Sequence, residues 1–230
     1  MLDTRFMIEI FPRLWHPFWV TIGVSMISLL LGTSLGASLG MLWVMSPFRS
    51  PIRILLNAYV WVVRGTPIIV QIYIAFFLLP KIGLKLSVFW VGVIALTFNS
   101  AGYQIEIVRA AIASISRGQQ EAAASIGMTD WMTMIYVVLP QALRRMIPPL
   151  TNELSNLVKA SSVLSVISLF ELMKAGDAII AASFKFAEVL LVLSILYFTI
   201  IQLLSWGAKY LEQALSLQQT NLSPAGQPLT

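Results

Sequence analysis

Cysteine is absent from the 230 residues. The chain therefore has no disulfide framework, no thiol nucleophile and no thiolate metal site. Histidine occurs once, at His16, beside Pro17 and among aromatic residues. One headgroup-level histidine leaves no material for a His-rich metal site or a Ser/His dyad, so neither catalytic nor metal-binding residues are expected. Charge is scarce as well: 11% of the residues are charged and 58% are hydrophobic, with a mean hydropathy of +0.83. Soluble domains carry about 25% charged residues, so the composition is that of an integral membrane protein. The net charge of +5 comes from 15 basic residues scattered between apolar runs rather than gathered in a tract. That distribution suits membrane boundaries and argues against nucleic acid as a partner. A GxxxxGK[ST] phosphate loop is also missing, so this chain binds no ATP by that device.

What is there is long apolar runs. A spanning helix needs about 20 apolar residues, and four runs supply them, at about 18–45, 54–79, 88–108 and 186–208. A fifth, about 146–170, is interrupted by Asn152, Glu153, Asn156 and Lys159 and is read as a span lined by protein or water. The expected fold is all-α, with five transmembrane helices in a single domain over residues 1–230. Ahead of Phe18, "FMIEIFPRLWHPFW" mixes charge with aromatics and reads as a short interfacial segment, retained at the N-terminus. Gly32, Gly36 and Gly40 lie on one face of the first span, a pattern that permits close helix contact. Trp15, Trp19, Trp43, Trp90 and Trp206 stand near run ends, as an aromatic belt requires, whereas Trp61 does not fit. Counting Lys and Arg on the two sides gives seven against six and leaves orientation open; the arginines between the third and fourth spans favour an outside N-terminus.

The segment at about 114–140 is polar and long for a connection between spans. "GQQEAAASI" is good helix material, Gly127 suits a left-handed helix stop, Thr129 can cap a second short helix from Asp130 toward Val138, and Pro140 can open a third element. Two short helices with a glycine hinge make a compact lobe outside the bilayer.

"EAA" at Glu121, Ala122 and Ala123, then Gly127 and Met128, then "LP" at Leu139 and Pro140, resembles the signature loop of permease subunits of bacterial ATP-binding-cassette importers. "VVRGTPIIVQIYIAFFLLP", "GYQIEIVRAAI", "SISRGQQEAA" and "NLVKASSVLSVI", in that order, are similar to the polar amino-acid branch of these permeases. The chain departs from that branch at Val137, Ala160, Ser161 and Ser162. The resemblance implies a type I importer permease in the bacterial cytoplasmic membrane, with its N-terminus outside and its C-terminus cytosolic. It implies that the loop is a coupling helix docking on a separate ATPase subunit, which binds the ATP and Mg; this chain itself would hold no cofactor. It also implies an identical or related permease subunit, an extracytoplasmic substrate-binding protein and an amino-acid substrate as partners.

Glu153 lies eight residues beyond Arg145, about 12 Å deeper at the helical rise, where a carboxylate needs a partner. Lys159, six residues on, faces another side of the helix. A passing cation would serve, which places Glu153, with Asn152 and Asn156 nearby, on the path of a polar cargo, cationic by preference; a hydrogen bond to a neighbouring span is the alternative. Gln71 and Asn99 either line that path or bond neighbouring helices, and Arg64, Glu106 and Arg109 are either functional groups or a structural ion pair. Glu171, Asp177 and Glu188 read as solvated. Two further classes remain: an intramembrane enzyme, which needs paired carboxylates or a nucleophile with its base, and a self-sufficient secondary transporter, whose folds commonly have repeated halves.

Overall fold

A computed structural model describes the backbone of residues 2–220 and the side chains of residues 2–210. The polar C-terminal tail expected to be cytosolic lies outside these from residue 221. Among the described residues the chain is all-helical: α1 (Thr4–Met45), α2 (Pro51–Gly65), α3 (Ile68–Lys81), α4 (Val88–Ala113), α5 (Arg117–Ser125), α6 (Asp130–Thr133), α7 (Leu139–Ser161), α8 (Leu172–Ser183) and α9 (Phe186–Thr220). A π-helical turn at Met134–Val138 precedes α7 and a 3-10 turn at Ser162–Ile167 follows it.

Three helices are long and apolar enough to cross a membrane unaided: α1, α4 and the Phe186–Tyr210 part of α9. Helices α2 and α3 make a fourth if taken together, although they meet at a bend of 110°. The expected single span at 54–79 is thus broken. Pro67 lacks an N–H and forces the residue before it out of the helical region; Thr66 accordingly stands extended at φ −118°, ψ 142°. The polar run at 146–170 falls mostly in α7, which has too many Asn, Glu and Lys to count as apolar on its own.

The interfacial segment expected before Phe18 is no separate element. It is the first part of the 42-residue α1, with Pro12 and Pro17 inside the helix. Asp3 starts it by accepting the Phe6 N–H at 3.0 Å. Ile10 and Leu14 hold it down, buried against Leu154, Val158, Leu172, Val189 and Val192 of α7, α8 and α9. Asp3 also binds the Lys185 ammonium at 2.5 Å, tying the chain's start to the α8–α9 turn. That ammonium, then the Phe6 amide, holds the Asp3 carboxyl below the usual carboxylate range.

The glycine face of α1 packs on α4. A Cβ on Gly32 would meet Ser100 Cβ at 3.0 Å, one on Gly36 would meet Gln104 Cβ at 2.6 Å and the Ala101 carbonyl at 2.9 Å, and one on Gly40 would meet Val108 Cβ at 2.8 Å. Each step of four along α1 is matched by a step of four along α4, so the bare glycine face of α1 receives Ser100, Gln104 and Val108 of α4 and touches the Ala101 backbone. Lipid offers apolar surface as good as a helix does, so this closeness, with its dispersion contacts, is what selects one partner over another.

Gly36→Val should therefore cost about 1–3 kcal/mol from overpacking. It should lower the thermal unfolding midpoint of the purified chain in detergent, while Gly23→Ala, with nothing within 4 Å of the added Cβ, should leave it unchanged. An unaltered midpoint for Gly36→Val would mean that α1 and α4 are free to separate.

Candidate functional site

The break between α2 and α3 frees backbone carbonyls, that of the buried Val63 among them, and a carbonyl without a donor is costly wherever water is excluded. Gln71 supplies the donor. Its Nε2 reaches the Val63 carbonyl at 2.9 Å, the Thr66 carbonyl at 3.2 Å and Thr66 Oγ1 at 2.8 Å, while its Oε1 accepts from Asn99 Nδ2 at 3.0 Å. Gln71 thus bonds its neighbours, and Asn99 both steadies Gln71 and faces a cavity of about 310 Å³. That cavity opens at the break itself, between Thr66, Pro67, Asn99, Tyr103, Glu153 and Asn156.

Glu153 is 6% exposed. The side chains of Ser100, on α4, and Asn156, one turn along α7, lie beside its carboxylate. Among the described residues no ion pair reaches it. The hydrogen bond to a neighbouring span considered from the sequence thus has a partner in Ser100, and the carboxylate still faces open space. A second cavity, of about 470 Å³, takes in Glu153 and Tyr103 from the other side and continues to Arg64, Glu106, Ser114 and Arg145. A third, of about 610 Å³, shares Arg64 and Glu106 and ends among Asn57, Trp61 and Arg109. The three form a series along α4 that joins the helix break to the end bearing Ser114, with polar and apolar residues mixed in their walls. Of the residues expected on the path, Glu153, Asn156 and Asn99 come together and Gln71 stands behind Asn99. Asn152 is exposed and lines none of these cavities.

Trp43, expected in the aromatic belt, lies between two guanidinium groups, with Arg53 Cζ at 4.0 Å and Arg109 Cζ at 3.7 Å from its ring centre. Its indole N–H donates to Asn57 Oδ1 at 2.8 Å. Arg109 also binds Glu106. Trp61, which fits no belt, is the 82% exposed wall of the third cavity.

The segment 114–140 forms a lobe of its own. Helix α5 ends in a paired stop: Met128 N–H donates to the Ala123 carbonyl at 3.1 Å and Gly127 N–H to the Ala124 carbonyl at 3.0 Å, with Gly127 at φ +79°. That is the Schellman arrangement, and a residue with a Cβ is disfavoured at the left-handed position. Thr129 then caps α6 by accepting the Met132 N–H at 3.3 Å. Pro140, expected to open a third element, stands in the first turn of α7. The π turn at Met134–Val138 carries α6 into α7, wide enough to absorb the missing N–H and the ring of Pro140. Ala123 is buried and Leu139 half-buried, whereas Glu121, Ala122, Gly127 and Pro140 are exposed and Met128 is partly so. Ile126, Trp131 and Tyr136 are exposed too, at 78%, 57% and 70%. Three large apolar side chains on a polar lobe are a surface suited to a protein partner. Arg145 of α7 ties that helix to the end of α4 where the lobe begins, donating to the Ser114 carbonyl at 2.5 Å and to its hydroxyl at 2.8 Å.

Glu171, read from sequence as solvated, is fully buried. It caps α8 by accepting the Lys174 N–H at 2.9 Å and accepts the Tyr197 hydroxyl of α9 at 2.7 Å. Thr21 of α1 closes the same junction by accepting the Leu172 N–H at 3.2 Å.

Residues 36–217 match the family described as "Binding-protein-dependent transport system inner membrane component". The arginine transport system permease protein ArtQ of Bacillus subtilis (strain 168) is 34% identical over 93% of this chain and 97% of that protein. The glutamine transport system permease protein GlnP of Escherichia coli (strain K12) is 37% identical over 69% of this chain and 74% of that protein. Among solved structures, an amino acid ABC transporter crystallised with histidines matches with a TM-score of 0.85 at 31% identity, covering 93% of this chain and 99% of that one. The MetNI methionine ABC transporter, at 21% identity and a TM-score of 0.74, shares the fold over 88% of this chain and 95% of that one.

Gln71→Leu keeps the bulk and removes the donor at the break. We expect it to destabilise the chain by about 1–3 kcal/mol, the cost of leaving polar groups unsatisfied, seen as a lower unfolding midpoint in detergent. A midpoint equal to that of the unaltered chain would show that those carbonyls do not depend on Gln71.

Proposed function

We infer the function from one premise: the chain belongs to the family of binding-protein-dependent transport system inner membrane components. It is an amino-acid permease subunit of an ABC transporter, a multi-pass transport component of the inner membrane and not the catalytic subunit. Beyond this, we propose that it imports a polar, cationic amino acid, delivered by an extracytoplasmic binding protein. It pairs with an identical or related permease and is driven by a separate ATPase that holds the ATP and Mg.

The observation that carries the cationic reading is Glu153: a carboxylate 6% exposed, between two cavities, with no basic residue on it among the described residues. A buried charge calls for a partner, and a cargo ammonium or guanidinium supplies one for the time it passes. Asn156 and Asn99 face the same cavity and can bond the rest of the cargo. A relative named for arginine transport agrees with this reading. The chain crosses the membrane five times in the proposed topology, α2 with α3 counting as one crossing and α7 with its 3-10 turn as another. The lobe at 114–140 is then cytosolic, with the N-terminus outside and the C-terminus inside. Glu121, Ala122, Ala123, Gly127, Met128, Leu139 and Pro140 form or shape the surface that meets the ATPase. The capped stop at Gly127 and the exposed Ile126, Trp131 and Tyr136 support that role.

Glu153→Gln preserves size and removes the charge. In proteoliposomes holding the assembled importer, it should reduce uptake of cationic amino acids by about tenfold or more, the order expected for one hydrogen bond to a charged group. Unchanged uptake would leave Glu153 a purely structural hydrogen-bonding residue. A cysteine at Ala122, in a chain that has none of its own, should react with an impermeant maleimide only from the cytosolic side, and should lose that reactivity when the ATPase assembles. Labelling from the outer side would overturn the topology.

A further inference from the structure

We propose that Arg64 and Glu106 form a second station on the cargo path, where the α-carboxylate and α-ammonium of an amino acid replace the contact these two side chains make with each other. This rests on the reading that cargo passes Glu153, and it adds where the cargo goes next and which part of it is read there.

The position follows from the shared walls of the cavities. Glu153 and Tyr103 border both the cavity at the helix break and the one beyond it, and Arg64 and Glu106 border both that second cavity and the third. Cargo leaving Glu153 along this series meets Arg64 and Glu106 next. The two cavities that flank them, about 470 Å³ and 610 Å³, fall in the range of about 300–1,000 Å³ that holds small ligands.

The chemistry follows from how unequally the two oxygens of Glu106 are held. Oε1 is bound by Arg109, which Trp43 fixes in turn by stacking on its guanidinium at 3.7 Å. Among the described residues Oε2 has only Arg64 Nη1, at 4.0 Å, the outer limit of an ion pair. Arg64 is loosely held: its side chain is 51% exposed, and its guanidinium stands 5.7 Å from the Tyr103 ring centre. A carboxylate oxygen and an exposed guanidinium thus face each other across a gap too wide for a hydrogen bond. A zwitterion carries an ammonium and a carboxylate on one carbon and can satisfy both at once. The guanidinium suits the carboxylate because it can bind it with two parallel N–H donors.

The charges around the station also differ from those at Glu153. Arg64, Arg109 and Glu106 sum to a net positive charge, which does not retain a cationic side chain, whereas Glu153 stands without a basic partner among the described residues. The first site therefore holds the side-chain cation and the second holds the backbone common to all amino acids. Passage from one to the other loosens the grip on the feature that selected the cargo.

The test is competition against labelled arginine on the detergent-solubilised assembled importer, without binding protein. Three competitors are used: arginine, arginine methyl ester and agmatine, the last two lacking a free carboxylate. On the unaltered importer, arginine should compete about tenfold more strongly than either carboxylate-free analogue. Arg64→Gln should weaken arginine to the level of agmatine and leave agmatine unchanged, and Arg64→Lys, which keeps the charge, should retain most of the difference. Equal competition by arginine and its methyl ester on the unaltered importer would overturn the proposal, and needs no variant to fold. So would an equal loss for arginine and agmatine in Arg64→Gln, which marks a structural role. Glu153→Gln should weaken arginine and agmatine alike; if it weakens neither, the cargo reading of Glu153 fails by itself, independently of the outcome at Arg64.

Discussion

The structure depends on the close approach of α1 to α4 along Gly32, Gly36 and Gly40. Helix α4 is the element against which α1, α2, α3 and α7 all pack, and its other faces carry Asn99, Tyr103, Glu106 and Arg109 into the cavity series. A glycine seam on one side fixes the rotation of α4, and that rotation decides which residues reach the cavities on the other. In lipid no general hydrophobic force would set it, because tails and side chains are equally apolar. Small residues at a spacing of four set it by steric fit. Ser28 extends the same stripe, donating to the Val93 carbonyl at 3.3 Å.

The second constraint is the break at Gly65–Pro67. A straight helix over 54–79 would satisfy its own backbone and offer nothing to a solute. The break exposes carbonyls, Gln71 binds them, and a polar cavity lies at the bend. Irregular backbone at membrane depth is tolerated where it lines a cavity, and transporters place their sites at such interruptions. Glu153 and Asn156 of α7 face the same region. The number of polar residues in α7 keeps it from counting as an apolar span and makes it useful as a wall.

Much of this was legible in the sequence where the signal is local. Helical runs, the glycines at a spacing of four, the stop at Gly127 and the cap at Thr129 each depend on residues within a turn or two. "RGTP" carried a break signal as well, yet the surrounding apolarity made one span the simpler reading. Long-range partners were not legible. Glu171 looked solvated because its acceptor role toward Tyr197, 26 residues away, depends on how α8 and α9 fold together. The contacts of Trp43 with Arg53 and Arg109 were not legible because the three meet only in the folded bundle. The start of α1 looked interfacial because its apolar partners, Leu172 and Val189 among them, lie at the other end of the chain. Near the site, Glu153 stood out by charge and depth alone, whereas Asn152, one residue away, was grouped with it by proximity and faces elsewhere.

Cargo travelling along the polar face of α4, past Glu153, is the central claim. A cryo-electron-microscopy structure of the assembled importer in lipid, with a cationic amino acid present, tests it most directly. The predicted result is cargo density within hydrogen-bonding distance of the Glu153 carboxylate, in the cavity between Thr66, Asn99 and Asn156. Cargo density elsewhere in the permease, touching none of the residues that line the α4 cavities, would contradict it.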